Sequence, residues 1–157
     1  MQSFEVIVVG GGHAGCEAAH ASARLGARTL LITMKLDGIG QMSCNPAVGG
    51  IGKSHLAREV DALDGLICKA ADKASLQSRV LNSSKGPAVR ATRIQTCRDA
   101  YKKAIQQEIM NHDELTVLQS TVKSIKFEVD EVTGVMLDTD ETIEAPTVIL
   151  TAGTFLD

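Results

Sequence analysis

The stretch that decides the fold is residues 4–33, FEVIVVGGGHAGCEAAHASARLGARTLLIT. FEVIVV is nearly continuous in apolar and β-branched side chains, as a strand covered on both faces reads. GGGHAG follows at once. The residues after it carry Ala14, Ala18, Ala21 and Leu25 at i, i+4, i+7 and i+11, which predicts a helix with that face toward the core. Gly26 is the expected left-handed stop. RTLLIT, at 28–33, predicts a second buried strand. A strand, a helix and a second strand this close together require a right-handed crossover and a parallel sheet.

Gly10, Gly12 and Gly15 spell G-x-G-x-x-G. The pattern alone is weak, and it gains force by following a strand and opening a helix. Gly10 permits a tight turn, Gly12 lets a pyrophosphate approach the backbone, and Gly15 lets the helix pack close to the strand. The phosphates would meet free N–H groups and the positive end of the helix dipole. An acid usually follows about 20 residues on, to bond the ribose. Here the second strand ends Ile32-Thr33-Met34-Lys35. Thr33 offers a hydroxyl, Asp37 lies close enough to reach back, and Lys35 suits a 2′-phosphate. Spacing therefore predicts a dinucleotide and leaves FAD and NAD(P) both open.

A second glycine-rich run, AVGGIGKS at 47–54, fits a loosened P-loop. A P-loop follows a buried strand directly. Before Ala47 stands GIGQMSCNP, which reads as loop, and no Walker-B-like acid follows an apolar run. We therefore expect these glycines to carry a loop past a flat ligand and into a helix at Lys53. Residues 53–64 predict that helix, apolar through Leu56, Val60 and Leu63 and ended by Gly65. Residues 66–80 predict another. NSSKGP at 82–87 is a turn cluster. Residues 95–111 predict a helix buried through Tyr101, Ala104, Ile105 and Ile109. A short strand is expected at 115–119, a hairpin at 122–129 and 135–139 turning through EVTG, and a last buried strand in TVILT at 147–151.

The chain of 157 residues is 44% hydrophobic with a formal charge of −3, which suits one globular domain and gives no general attraction to nucleic acid or anionic membrane. The charge is uneven: seven basic residues against Asp99 lie between Arg79 and Lys103. Such a run reads either as a solvated face or as a contact to phosphates, whose binding would be salt-dependent. With no Trp, one Tyr and three Phe, no aromatic platform for unstacked bases is expected. Cys16, Cys44, Cys68 and Cys97 lie far apart, without CxxC, which argues against zinc or a redox pair and fits reduced thiols in an intracellular protein. Cys16, Cys68 and Cys97 fall on predicted helices and read as small buried hydrophobes. His20, His55 and His112 are isolated, without metal spacing. The start carries Glu5 and no basic segment, unlike a signal peptide, and no apolar run is long enough to span a bilayer.

VIVVGGGHAGCEAA, GIGQMSCNPAVGGIGKSHLAREVDALDG, LNSSKGPAVRATR and VILTAGTFL together resemble the GidA/MnmG family over essentially the whole chain. The segments 39–65 and 81–93 are far more specific than the glycine fingerprint. A related folate-dependent tRNA methyltransferase family shares the first motif but not QMSCNPAVGGIGK. The resemblance implies an α/β, Rossmann-like FAD-binding fold, a parallel sheet with a β-hairpin insertion. It implies an FAD-dependent enzyme of the cytoplasm that modifies C5 of the wobble uridine of tRNA, adding a carboxymethylaminomethyl or aminomethyl group. NADH would be the reductant, a methylene-folate the one-carbon donor, and a GTPase the partner protein. The full-length protein would be a homodimer away from membranes.

The resemblance also implies site residues. Gly10, Gly11, Gly12, His13, Ala14 and Gly15 would wrap the FAD pyrophosphate. Val122 would contact the adenine through its backbone, and Thr151, Ala152 and Gly153 would return the chain to the cofactor. Ser43, Cys44 and Asn45 would line the flavin side. Cys44 then has two readings: a catalytic thiol able to add to a pyrimidine or move a proton, with Lys53 as its neighbouring cation, or a small loop side chain chosen for packing. Family members are several times longer. Residues 1–157 are accordingly expected to be the N-terminal part of an FAD-binding domain and inactive alone. The competing expectations are a general FAD or NADP oxidoreductase of small molecules and a non-catalytic dinucleotide-binding fragment.

Overall fold

Because the apolar runs at 6–9 and 29–33 alternate nothing polar into their middles, both form strands of a buried sheet. The computed structural model describes residues 3–153. In chain order its elements are β1 (Val6–Val9), α1 (His13–Arg24), β2 (Thr29–Thr33), β3 (Ala47–Gly49), α2 (Lys53–Ala62), α3 (Leu66–Lys73), β4 (Ser75–Leu81), β5 (Ala91–Thr96), α4 (Arg98–Met110), β6 (Leu115–Gln119), β7 (Val122–Glu128), β8 (Glu131–Leu137), β9 (Thr142–Glu144) and β10 (Thr147–Leu150). They form two compact units, one of Met1–Gly40 with Gln107–Asp157 and the other of Gln41–Gln106.

In the first unit β10, β1, β2 and β6 lie side by side in that order, every neighbouring pair parallel. The expected βαβ unit and parallel sheet are present. Ile7, Leu30 and Ile32 of one sheet face cluster with Val135 and Leu137 of the antiparallel layer β7-β8-β9 and with Ala145 just after it. By strand alternation Val8 and Leu31 point the other way, where α1 lies. Both are fully buried, and each side chain of this size stabilises by about 1.5–3 kcal/mol when buried.

The helix face is not the expected one. α1 buries Gly15, Cys16, Ala19, His20 and Ala23, whereas Ala14 is exposed and Leu25 is 85% exposed. Gly15 sets this rotation, because only a residue without Cβ fits against the Gly10 carbonyl. Gly26 does stop the helix in the left-handed region, at φ +89°, with its N–H bonded to the Ala23 carbonyl at 2.9 Å. The hairpin is present but turns at residues 129–130, so EVTG lies in β8. β10 is exposed at its ends and half-buried in its middle, not buried throughout, because it is an edge strand of the sheet.

In the second unit β3, β5 and β4 form an antiparallel sheet against which α2 and α3 pack. Four expectations change here. AVG is a strand, made by pairing with β5. Residues 75–80 are β4, not helix. α2 buries Ser54 and Ala57 while leaving Leu56 and Leu63 65% and 75% exposed, since small residues let it approach the sheet. Asp64, at φ +69°, rather than Gly65 takes the left-handed turn after α2.

Candidate functional site

The parallel register puts the carboxyl ends of β10, β1, β2 and β6 on one edge of the sheet, which is where open α/β sheets bind ligands. Gly10–Gly15 follow β1, Thr33 ends β2, Val122 follows β6 across a short link, and Thr151–Gly153 follow β10. The structure therefore brings all these expected residues to one edge. Ser120 N–H donates to the Thr33 carbonyl at 3.0 Å, tying the link before Val122 to the end of β2. Val122 itself is half-buried against the core as the first residue of β7.

Each glycine of the turn answers to a different constraint. Gly10 sits at φ +111°, and a Cβ there would run into the Thr151 carbonyl. A Cβ at Gly11 would come 2.8 Å from Thr33 Oγ1 and 3.2 Å from Ile39 Cγ1. A Cβ at Gly12 would meet nothing within 4 Å. At Gly15 it would collide with the Gly10 carbonyl and lie 2.8 Å from Thr151 Oγ1. Gly12 is the residue before α1, in extended backbone, with no side-chain cap. The N–H groups of the first helical turn have no intrahelical acceptor, and they open where Gly12 leaves space. His13, half-buried, and Ala14, exposed, lie in that turn.

Thr151 locks the edge. Its N–H and its hydroxyl donate to the Val9 carbonyl at 2.9 and 2.8 Å, and the hydroxyl lies 3.1 Å from the Gly10 carbonyl. Gly153, at φ +73°, then turns the chain in open space, with Ala152 half-buried before it. Thr33 differs from expectation. It is 8% exposed, packs on Gly11, and its hydroxyl lies 3.4 Å from the Lys35 carbonyl, so it is engaged with the protein rather than offered outward.

Sequence reasoning missed that residues 34–40 fold back on this turn. Gly40 N–H donates to the Gly11 carbonyl at 3.2 Å, and Ile39 is fully buried. Beneath it Cys16 is 1% exposed, with Sγ 3.4 Å from the Gly11 carbonyl; burial pushes its thiol from the ordinary 9.0 up to about 11. His20 and His112 are not isolated, since their rings meet edge to face at 5.9 Å. No group of three or more His, Cys, Asp or Glu among the described residues could hold a metal.

Ser43, Cys44 and Asn45 belong to the second unit, all exposed. The cation beside Cys44 is Arg98, whose guanidinium donates to the Cys44 carbonyl at 2.8 Å. Lys53 instead points at the Ala47 carbonyl, 3.4 Å away. Ser43 Oγ lies 3.9 Å from Cys44 Sγ. Cys68 and Cys97 are half-buried, and Cys97 precedes α4 rather than lying within it.

A family model described as glucose inhibited division protein A matches residues 5–157. The chain belongs to the GidA family. Aquifex aeolicus GidA, in its form II crystal, superposes with a TM-score of 0.95 at 42% identity over 98% of this chain and 25% of that one. The chain thus spans about a quarter of that relative's length. A GidA-related protein from Thermus thermophilus shares the fold at 19% identity and a TM-score of 0.64, over 99% of this chain and 55% of that one. PqsL of Pseudomonas aeruginosa, described as a probable FAD-dependent monooxygenase, shares it at 14% and 0.66, over 94% and 42%. The fold is the Rossmann-like one expected, α/β with a parallel sheet and an inserted antiparallel layer.

Proposed function

We propose that this chain is the N-terminal part of an FAD-binding domain, within a flavoenzyme that modifies C5 of the wobble uridine of tRNA. One observation carries the cofactor reading: around Gly12 the turn leaves open the space that a Cβ would fill, in front of the first-turn N–H groups of α1. Gly10–Gly15 would hold the diphosphate through those amides and the helix dipole. Thr151 would hold the turn open, and the backbone after β6 and β10, at Val122 and at Ala152-Gly153, would flank the ligand. Thr33 would shape the turn with its buried side chain. FAD, when bound, supplies two-electron redox chemistry; the protein supplies binding and orientation. The fold shared with a protein described as FAD-dependent supports this choice of nucleotide.

Membership of the GidA family supports tRNA as the substrate. On the resemblance given above, NADH would reduce the flavin, a methylene-folate would donate carbon, a GTPase would join the reaction, and the full-length protein would work as a dimer in the cytoplasm. Cys44 would be the thiol at the uracil, its exposure giving it access to substrate. Measuring turnover of a full-length Cys44→Ser variant decides that role, and wild-type activity would end it.

The cofactor reading is tested by titrating the purified chain with FAD and following flavin fluorescence. Saturable binding is expected, weakened at least tenfold in Gly12→Val while its far-UV circular dichroism stays native. A chain that never binds FAD, or a Gly12→Val variant that binds it equally well, sinks the reading. In the complete protein, flavin turnover indifferent to tRNA would point to a small-molecule oxidoreductase instead.

A further inference from the structure

The central strand of the second unit and its edge neighbour β4 place like charges face to face. In the β4–β5 register Arg79 stands opposite Arg93 and Gln77 opposite Gln95. All four side chains therefore leave the same face of the sheet, as strand periodicity requires. With Leu81 they line an open concavity of about 220 Å³. The third strand leaves this face low: Gly49 is the residue opposite Arg93 on its other side, and Ala47 the one opposite Gln95. Gly49 is held to glycine by its φ of +111° and by the Thr92 carbonyl, which a Cβ would strike.

Two guanidinium groups on directly opposed positions repel, and neither Arg79 nor Arg93 has an ion-pair partner among the described residues. The pairing costs stability in a sheet whose strand β4 is otherwise exposed and could carry any polar residue. An oxyanion between the two groups reverses the sign of that interaction. Guanidinium forks match the geometry of phosphate oxygens, and the flanking glutamine amides add donors that an anion can use.

We propose that this face is a seat for a phosphate group, gripped between Arg79 and Arg93 with Gln77 and Gln95 at its rim. The phosphate has two possible sources, a link of an RNA backbone or a free phosphate-bearing small molecule. The RNA source rests on the tRNA reading above; the seat itself does not. Arg98, Lys102 and Lys103 of the same basic run lie on α4 rather than on this face.

The test uses the full 157-residue chain, with the arginine Nε–H resonances followed by NMR in two arms, inorganic phosphate and a short RNA stem-loop. The seat predicts saturable shifts of both the Arg79 and Arg93 signals in at least one arm. Arg79→Gln, on the exposed strand, is expected to keep the native circular dichroism and to weaken that binding about tenfold. In the RNA arm it would also flatten the dependence of log K on log salt by about one phosphate contact. Shifts with phosphate but no RNA binding keep the seat, assign it to a small molecule, and count against the tRNA reading. RNA binding that Arg79→Gln leaves unchanged, or no shift of either arginine in both arms, overturns the seat while leaving the tRNA reading to stand on its own.

Discussion

Substituting Gly15 by Ala tests the central geometry, because a single methyl group decides whether α1 can lie where it does. Ala is the better helix former by about 1 kcal/mol, so propensity alone predicts a more stable protein. Packing predicts the opposite. The added carbon would overlap the Gly10 carbonyl oxygen and come within 2.8 Å of Thr151 Oγ1. Overpacking costs about 1–3 kcal/mol where side chains can rotate away. Here the obstacle is backbone, fixed by the Gly10 N–H bond to Ile32 and by the Thr151 bonds to Val9. Relief therefore requires α1 to lift, loosening Cys16, Ala19 and Ala23 from the sheet. The penalty lies at or above the top of that range, leaving a net loss of about 2 kcal/mol after the helix gain. For a domain of this size that lowers Tm by roughly 4–8 °C. Urea unfolding followed by circular dichroism measures it. Gly12→Ala is the control: its new carbon meets nothing, so it costs only the loss of a glycine N-cap, under about 1 kcal/mol. A Gly15→Ala chain as stable as wild type, or less damaged than the Gly12 control, would refute the argument.

Three further outcomes are expected. Thr151→Val keeps the shape but removes the hydroxyl that bonds the Val9 carbonyl; it should cost about 1 kcal/mol in urea unfolding and weaken FAD binding by loosening Gly10. Iodoacetamide at pH 8 should label exposed Cys44 and leave buried Cys16 intact, as peptide mass spectrometry would report; because the Cys16 pKa is raised to about 11 in the fold, its contribution to stability is full below pH 9 and declines as pH rises through 11, and Cys16→Ala should flatten that decline. Ser54→Ala should cost about 1–3 kcal/mol in thermal or urea unfolding, since the hydroxyl both accepts from Gly50 N–H at 2.9 Å and donates to the Thr92 carbonyl; a variant of unchanged stability would refute that structural role.

What the sequence made legible was the part whose physics is local. The run at 6–9, the glycines at 10–15 and the run at 29–33 each constrain one another within a single βαβ unit, so strand, turn and crossover could all be read. The helix at 98–110 was readable for a similar reason: Tyr101, Ala104, Ile105 and Ile109 keep one apolar face, and all are buried. The misreadings arose where pairing, not periodicity, decides. Leu76 and Val80 are spaced like a helix face, and no glycine ends α3, yet pairing with β5 makes 75–81 a strand exposed on both sides. The apolar stripe Leu56–Val60–Leu63 pointed to a core that the small residues Ser54 and Ala57 occupy instead. In the candidate site, Gly10 makes the tight turn and Gly15 the close helix approach that their spacing predicted, and Gly12 stands at the open helix start. The contribution of Ile39 was invisible, because nothing local says that residues 34–40 return to Gly11.

The two glycine-rich turns show why composition could not separate their uses. Both lead from a strand into a helix. After β1 the turn leaves a parallel sheet whose strand ends share one edge, and the helix start behind Gly12 faces open space. β3 is antiparallel and takes up the first three residues of the motif itself, so only 50–52 remain as turn. The groups a triphosphate would need there are already engaged. Lys53 reaches the Ala47 carbonyl, and the Ser54 hydroxyl joins Thr92 to Gly50. The glycines of this second turn serve close backbone approach instead: Gly49 admits the Thr92 carbonyl, and Gly50 N–H also bonds it at 3.1 Å. A phosphate loop therefore requires more than glycine, lysine and serine in order. It requires a strand that ends as the glycines begin, so that the amides at the helix start have no ladder to join.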